Sequence, residues 1–187
     1  MTIPGPARAP RVNLRPPQEG DREAFVAALE ASQTLHDPWL DPPDPPAWFD
    51  RLVARNGSMT DRSFLVVRLH DEVLVGVYNL SQIVYGPLCS AYLGYYALAP
   101  HEGNGYMREG LGLLLWQAFG SVGLHRIEAN IQPGNTASIA LVRGAGFRRE
   151  GFSPRYLRIR EGWRDHERWA ITLEDLPEGF ASAAPTA

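Results

Sequence analysis

The chain has 187 residues, of which 44% are hydrophobic and 21% charged, and its formal net charge is −3. A length and composition of this kind predict a single globular domain over residues 1–187 with a core of its own. The small negative charge argues against a nucleic-acid partner. The single Cys89 excludes an internal disulfide, and no apolar run approaches the ~20 residues that a membrane-spanning helix needs. We therefore expect a cytoplasmic protein without a membrane partner, and we predict no metal site.

The first half of the chain predicts a strand, two helices and three strands. Proline-rich residues 1–10 are expected to form a loose arm, and the core is expected to start near residue 12. The expected elements are a strand at Val12–Arg15, a helix capped by Asp21, a helix started by Asp44-Pro45-Pro46 and ended at Asn56-Gly57, and strands over Ser63–Leu69, Val73–Ile83 and Ser90–Leu98. The three strands are expected to form an antiparallel meander, and residues 33–46 to be irregular.

The apolar period lengthens after Leu98, which predicts a change from strand to helix. Apolar residues recur at helical spacing through Met107, Leu111, Leu114, Leu115 and Ala118. The elements expected after them are a strand at Arg126–Ile131, a helix at Thr136–Arg143, a hairpin of Tyr156–Arg160 and Arg168–Leu173, and a frayed tail from Pro177. This order predicts a mixed α/β fold in which helices flank a central, mostly antiparallel sheet.

Two helix starts in this half offer backbone amides to an anion. Gly103 and Gly105 precede one helix, and Asn135 is a good N-cap for the other. A dinucleotide fingerprint would need glycine where Arg108 stands, and a P-loop would need a lysine, which the chain lacks. Taken singly, each start is equally consistent with an ordinary turn or cap.

Taken together, these segments resemble the GNAT superfamily of acetyl-CoA-dependent N-acetyltransferases, and within it the Rim-type ribosomal-protein-alanine N-acetyltransferases. The resemblance is carried by Leu14-Arg15-Pro16, EGNGYM at 102–107, LHRIEANIQPGNTASIALVRGAGF at 124–147, EGF at 150–152, Tyr156-Leu157 and Trp163-Arg164-Asp165-His166. It covers roughly residues 12–176. It implies a GNAT-like acyl-CoA N-acyltransferase fold and direct transfer of an acetyl group from acetyl-CoA to a primary amine. The acceptor it implies is an alanine-type α-amine at a protein N-terminus.

The resemblance also implies which residues bind acetyl-CoA. The pyrophosphate would lie on the backbone amides of Gly103 to Met107, and the pantetheine arm would pair with Leu98 and its neighbour. Asn135 and Ser138 would lie near the thioester. Separately from the resemblance, the Arg-rich segment from Arg143 to Arg168 predicts either a solvated hairpin face, with Arg158 and Arg160, or attraction of the CoA 3′-phosphate, for which Arg143 is the best candidate. The full predicted set is Leu98, Ala99, Gly103, Asn104, Gly105, Tyr106, Met107, Asn135, Ser138 and Arg143.

The catalytic groups are less clearly indicated than the cofactor site. Ser138 and Tyr156 are candidates for the proton donor to the leaving thiolate, and a strand amide near Leu98 for oxyanion stabilisation. The family often has an acid where Arg155 stands here. The base therefore stays open, with water and the nearby titratable groups as candidates: Glu102 first, then Glu128, Glu150 and His101.

The acceptor also stays open. The alternatives are an enzyme that acetylates a small amine (an amino acid, polyamine or drug) and a CoA-binding module without catalysis. A second copy of the chain, in a homodimer, is among the expected partners. Eight acids and one base, Arg22, lie between Glu19 and Asp50. This block predicts either a solvated charged surface or a rim that attracts a cationic acceptor.

Overall fold

The structure, a computed structural model, describes residues 10–37, 39–41 and 44–180. The expected loose N-terminal arm lies almost entirely outside the described residues, as does the end of the tail. Within them, seven strands form one sheet in the order β1-β2-β3-β4-β5-β7-β6. The strands are β1 Val12–Arg15, β2 Arg62–Arg68, β3 Leu74–Val84, β4 Ser90–Ala97, β5 Arg126–Ile131, β6 Arg148–Ile159 and β7 Gly162–Thr172. The helices are α1 Arg22–Ala31, α2 Gln33–His36, α3 Pro45–Arg55, α4 Tyr106–Phe119 and α5 Thr136–Gly144.

The predicted mixed α/β architecture is confirmed, and so is the antiparallel meander of β2, β3 and β4. Three details differ from the expectation. A short helix, α2, lies in the segment expected to be irregular. Both strands of the hairpin begin earlier than expected, β6 at Arg148 rather than Tyr156 and β7 at Gly162 rather than Arg168. β6 is an edge strand that is largely exposed on both faces, so its sequence lacks the apolar alternation by which a strand is recognised.

The sheet separates two apolar layers. α4 and α5 cover one face, where Leu111, Leu114 and Val142 pack against strand residues such as Val66 and Ile127. α1 and α3 cover the other face, with the buried side chains Phe25, Leu29, Phe49 and Leu52. Because side chains alternate along a strand, β2, β3 and β4 contribute to both layers.

The α4 helix packs unusually close to the sheet at Gly110. A Cβ atom built there would lie 3.2 Å from both Tyr78 and Val66 side chains. Such a contact is tighter than ordinary van der Waals packing, so a larger residue would push α4 away from β2 and β3. The close approach fixes the position of the helix start that borders the site.

The sheet opens at its one parallel junction. β4 and β5 pair only from Ser90 to Tyr92 and from Arg126 to Glu128. Beyond that point β4 continues to Ala97 and β5 to Ile131 without pairing to each other. The two strands therefore diverge and leave a cleft through the sheet.

Among the described residues, none of the helices has the length and apolar character needed to cross a bilayer.

Candidate active site

The divergence of β4 and β5 creates a cleft of about 610 Å³. The end of β4, the start of α4, the end of β5 and the first turns of α5 line it, together with residues from α2 and β7. Eight of the residues predicted for the site line this cleft. They are His101, Glu102, Gly103, Gly105, Tyr106, Met107, Asn135 and Ser138.

The start of α4 forms an exposed cradle of backbone amides. Gly103 and Gly105 have φ angles of 75° and 81°, in the left-handed region that side-chain-bearing residues rarely adopt. The first bond of the helix runs from the Glu109 amide to the Gly105 carbonyl at 3.1 Å. The amides of Tyr106, Met107 and Arg108 therefore have no acceptor within the helix and, with the helix dipole, favour an anion.

Arg11 fixes this cradle from behind. Its Nη2 donates to the Asn104 carbonyl at 3.0 Å, and its Nε donates to the Glu109 carboxylate at 2.7 Å. The Asn104 side chain donates to the carbonyls of His101 and Glu102 and so closes the turn. Asn104 thus shapes the loop, and its side chain does not line the cleft.

The edge of β4 turns two backbone amides toward the cleft. The Leu98 amide donates to the Val75 carbonyl at 3.0 Å, so Leu98 is bonded to β3. Residues bonded to one neighbour alternate along an antiparallel strand, and the register continues unbroken through Ala97 and Tyr95. The backbone groups of Tyr95 and Ala97 consequently face away from β3, into the gap that β5 leaves.

Leu98 and its neighbour, Ala99, were expected to pair with the pantetheine arm, and this expectation needs a correction. Leu98 is fully buried and its amide serves the sheet, while the Ala99 amide donates to the Ser32 hydroxyl at 2.8 Å. Neither residue lines the cleft. The strand was recognised correctly, but which of its amides face the gap depends on the pairing with β3, which the sequence does not display.

On the α5 side of the cleft, Asn135 and Ser138 form a hydrogen-bonded unit with Tyr95. Asn135 caps α5 by accepting from the Ser138 amide at 3.1 Å. The Ser138 hydroxyl donates to the Tyr95 oxygen at 2.9 Å, and the Tyr95 hydroxyl donates to the Ser138 carbonyl at 3.2 Å. Burial raises the pKa of Tyr95 to about 12. Tyr95 and Ser138 are both half-buried, and the hydrogen of each hydroxyl is engaged within the pair at the cleft wall.

The opposite side of the cleft holds polar atoms without partners. Tyr96 points to the α1 and α3 layer, and its hydroxyl is buried without a hydrogen-bond partner among the described residues. The Oδ1 atom of Asn130, on β5, is also buried and has no hydrogen-bond partner among the described residues. Leaving such groups unpaired costs about 1–3 kcal/mol each.

His166, on β7, lines the same part of the cleft and is 3% exposed. Its Nδ1 lies 3.0 Å from the Arg164 carbonyl, and because a carbonyl only accepts, Nδ1 carries the hydrogen. In the neutral ring Nε2 is then an acceptor, and it has no hydrogen bond within the described part of the chain. Burial lowers the pKa of His166 and favours that neutral form.

The segment after α1 covers this side of the cleft. His36, in α2, donates from Nε2 to the Ala97 carbonyl at 2.8 Å, and its ring lies 5.3 Å from that of Tyr96. Trp39 lies over the loop before α5, where a Cβ atom on Gly134 would come within 3.4 Å of its indole. The Trp39 carbonyl accepts from Gln132 at 3.2 Å. The segment that contains His36 and Trp39 therefore connects the first helices to the end of β5.

Two other predicted site residues lie away from the cleft. The exposed guanidinium of Arg143 lies 5.4 Å from the centre of the Trp169 ring and does not line the cleft. Tyr156 lies in a bulge of β6 that is anchored by the Arg155 amide donating to Asp165 at 2.7 Å. The ring of Tyr156 lies 5.9 Å from that of His166. A hydrogen bond between the side chains of Tyr156 and Tyr92 raises the pKa of Tyr92. The bulge turns Tyr156 toward Tyr92 instead of into the cleft.

Of the four candidate bases named from the sequence, two are engaged elsewhere and two, His101 and Glu102, line the cleft. His101 lies in the turn before α4, where its amide donates to the Leu98 carbonyl at 3.0 Å. Glu128 pairs with Arg126 at 2.8 Å, and Glu150 pairs with both Arg126 and Arg148. Glu102 lines the cleft but lies in the turn that begins α4, beside the anion cradle. A carboxylate there is on the cofactor side of the opening, not beside the unpaired atoms of Tyr96 and Asn130.

The acidic block is partly neutralised by arginines. Asp21 pairs with Arg15, and Arg22 bridges Glu19 and Asp50. Asp37 pairs with Arg160, whose amide also donates to Asp41 at 3.2 Å. These pairs reduce the field that an acidic rim would exert on a cationic acceptor.

The residues absent from the sequence prediction are Tyr95, Tyr96, Asn130, His166, His36 and Trp39. Two of them carried a signal. Asn130 is a polar residue inside a predicted strand, and His166 belongs to a motif that the resemblance had marked. The others lie in a strand, a short helix or a loop whose distance from the site is set by the fold alone.

Comparison with known proteins decides the family. Residues 11–148 match the profile of the acetyltransferase (GNAT) domain. The chain belongs to the GNAT acetyltransferase family. It is therefore an acetyl-CoA-dependent N-acetyltransferase, as the resemblance implied.

Three relatives are informative about this acetyltransferase. It is 32% identical, over 85% of its length and 87% of the relative's, to the ribosomal protein uS5-alanine N-acetyltransferase of Escherichia coli. It is 37% identical to the probable N-acetyltransferase YjcK of Bacillus subtilis, but that match spans only 60% of this chain and 62% of the relative. Among solved structures, Mycobacterium smegmatis RimJ in complex with CoA-disulfide superposes with a TM-score of 0.82 at 32% identity, over 91% of this chain and 86% of that one.

The residues of the acetyltransferase fit acetyl-CoA. The cradle offers space at Gly103, where a built Cβ atom meets nothing within 4 Å. Its amides suit a pyrophosphate, and the open edge of β4 suits the amide groups of a pantetheine arm. When bound, acetyl-CoA supplies the activated acetyl group.

Proposed function

We propose that the acetyltransferase modifies the α-amine at the N-terminus of a protein, of the alanine type. The cradle of α4 and the amides of Tyr95 and Ala97 hold acetyl-CoA, and the same amides donate to the carbonyl oxygen as charge develops on it. The amine enters from the side of α1 and α3, where it meets Tyr96 and Asn130. The name of the Escherichia coli relative supports this acceptor class.

The polar atoms on the acceptor side carry the proposal. The Tyr96 hydroxyl and the Asn130 Oδ1 are buried and unpaired, and both can accept from an amine N–H. Glu102 is the one acid among the described residues that line the cleft. A neutral, hydrogen-bonding chamber is suited to an amine that is readily deprotonated, and poorly suited to a polycation.

The ordinary pKa values of amines favour the same class. An α-amine has a pKa of about 7.7–8.0, so roughly a third of it is neutral at pH 7.5. An alkyl amine of the lysine type, with a pKa of about 10.4, is only about 0.1% neutral at that pH. A cleft without a free carboxylate beside the amine subsite has less means to deprotonate the second kind.

A thiol-release assay with acetyl-CoA tests the proposal. The panel contains a lysine-free peptide that begins with alanine, its N-formylated form, an N-formylated peptide with an internal lysine, and spermidine. We expect kcat/KM for the alanine peptide to exceed that for every other acceptor by about 10²-fold, in line with the neutral fractions above. A preference for spermidine would favour the small-amine alternative, and modification of the lysine peptide would contradict α-amine selectivity.

A further inference from the structure

His166 is a buried histidine of the acceptor chamber, the part of the cleft lined by Tyr96, Asn130 and His166, and its Nε2 atom has no hydrogen bond among the described residues. His166 lies on β7, on the sheet face that also carries Tyr96 and Asn130. Along β5 and β7, Asn130 is paired with Arg168, so His166, two residues before Arg168 in β7, is its diagonal neighbour on the same face. Diagonal neighbours on one face lie close enough for one small ligand group to meet both side chains.

The hydrogen bond of His166 to its own strand determines what its free nitrogen can do. The Nδ1 hydrogen is held by the Arg164 carbonyl at 3.0 Å, which orients the ring and fixes the tautomer. The Nε2 lone pair is left for a ligand. His36, the other buried histidine of the cleft, is different because its Nε2 already donates to the Ala97 carbonyl at 2.8 Å.

We propose that His166 is the base of the transfer, its Nε2 taking the proton from the acceptor amine while Asn130 Oδ1 holds a second amine hydrogen. The inference rests on the proposed function, since it places an amine in this chamber. It supplies the group that the sequence left open when Arg155 was found in place of an acid.

The step balances without a further reactant. The amine nitrogen forms a bond to the acetyl carbonyl carbon, and the carbon–sulfur bond breaks with its electron pair leaving on sulfur. The proton of the nitrogen passes to Nε2 and then to water. The sulfur takes up a proton from the Ser138 hydroxyl, which regains one from water, so that the products are an amide and a free thiol.

The surroundings of His166 are compatible with a neutral resting ring. The titratable or charged groups on the elements around it are Tyr156 from β6, Asp165 and Arg168 from β7, Tyr92 and Tyr96 from β4, Glu128 from β5 and His36 from α2. Burial, the largest influence, lowers the pKa of His166, while the Arg164 carbonyl and Asp165 act against it. Glu128 is paired with Arg126 and is therefore not free to hold an imidazolium.

The pH dependence of kcat/KM for the alanine peptide tests this role in His166→Gln. Glutamine can hydrogen-bond but cannot take a proton in this range. In the wild type, log kcat/KM should rise with a slope of two at low pH, where both imidazole and amine must lose a proton, and with a slope of one up to about pH 7.8. In His166→Gln the slope should be one throughout, with kcat/KM about 10²-fold lower at pH 7.5.

Three controls separate the possible failures. His125→Gln removes an exposed histidine that is paired with Glu174 outside the cleft, and its profile should match the wild type. Calorimetric titration should show acetyl-CoA binding by His166→Gln within about twofold of the wild type, because His166 is not part of the cradle. A wild type that acetylates no α-amine contradicts the proposed function, whereas an active wild type and a variant with the same two-slope profile contradict the base alone.

A measurement on the unaltered protein covers the case in which the variant fails to fold. Nitrogen-15 NMR of histidine-labelled wild type reads the tautomer of each ring directly. We expect the Nδ1–H tautomer for His166, with titration below the ordinary pKa of about 6.5. An Nε2–H tautomer, or a ring already protonated at pH 7, would overturn the proposal.

Discussion

The two sides of the cleft are built in different ways. On the side of α4 and α5, the loop and first turn are fixed by hydrogen bonds such as Arg11 to Asn104, and the backbone presents the binding groups. On the side of α1 and α3, the binding groups are side-chain atoms without partners, on Tyr96 and Asn130. A backbone cradle recognises a phosphate whatever the neighbouring side chains are. A side-chain chamber is specific to its ligand and is changed by single substitutions.

The largest of the predicted effects should come from Gly105→Val, which alters the backbone cradle on the side of α4. Valine is strained by about 1–3 kcal/mol in the left-handed conformation that Gly105 adopts at φ 81°, and its Cβ would lie 3.3 Å from Arg11. We expect the affinity for acetyl-CoA, measured by calorimetry, to fall at least about tenfold, with the melting temperature lowered as well.

Gly112→Ala is the matched control within the same helix. A Cβ atom there meets nothing within 4 Å, and alanine favours a helix by about 0.5–1 kcal/mol over glycine. Its affinity should equal that of the wild type and its stability should be equal or higher. Loss of acetyl-CoA binding in Gly112→Ala but not in Gly105→Val would refute the cradle.

Tyr78 and Tyr96 allow a comparison between a buried hydroxyl that has a hydrogen-bond partner and one that has none. The Tyr78 hydroxyl donates to the Met107 carbonyl at the start of α4, whereas that of Tyr96 has no partner among the described residues. Removing an unpaired buried hydroxyl removes its desolvation cost and raises the free energy of unfolding. Removing a paired hydroxyl leaves a carbonyl without a partner and lowers it. Each effect is about 1–3 kcal/mol.

Urea unfolding should therefore show Tyr96→Phe to be at least as stable as the wild type, and Tyr78→Phe to be less stable. In the assay, Tyr96→Phe should lower kcat/KM for the alanine peptide about tenfold with an unchanged KM for acetyl-CoA. A destabilised Tyr96→Phe would mean that its hydroxyl has a partner in solution, and the chamber would then lose one of its free groups.

The smallest expected effect is a pH dependence of stability that arises on one side of the cleft. Burial lowers the pKa of both His36 and His166 in the folded state, so the unfolded chain binds more protons below about pH 6.5. Stability is then full above that pH and falls as the pH drops toward the folded pKa values. A tenfold difference in proton affinity between the folded and unfolded states corresponds to about 1.4 kcal/mol of stability.

Free energies of unfolding measured in urea at pH 5, 6 and 7 should decrease toward pH 5, and less steeply in His166→Gln than in the wild type. Carboxylates such as Asp21 lose their contribution only at lower pH. Burial raises the pKa of Asp21, but the hydrogen bond from Arg15 and a backbone amide together hold that pKa below its usual value. An identical slope in the variant would show that His166 titrates alike in both states.

Local sequence predicted most of the fold because the signals for it are local. The period change after Leu98, the proline start at Asp44 and the cap at Asn135 each report on a few neighbouring residues. The start of β6 was misplaced, since an edge strand exposed on both faces has no alternation to read. The cradle and Ser138 were recognised because both lie at helix starts with their own sequence marks.

The sequence by itself determined the family, the cofactor and one wall of the site, for these depend on a contiguous stretch from Glu102 to Phe147. Only the tertiary structure decided which β4 amides face the cleft, because strand pairing with β3 engages Leu98 and leaves Tyr95 and Ala97 open. It alone brought His166, Asn130 and Tyr96 onto one face from three strands. Their meeting depends on where β4 and β5 part, and a feature of the sheet as a whole has no local mark in the sequence.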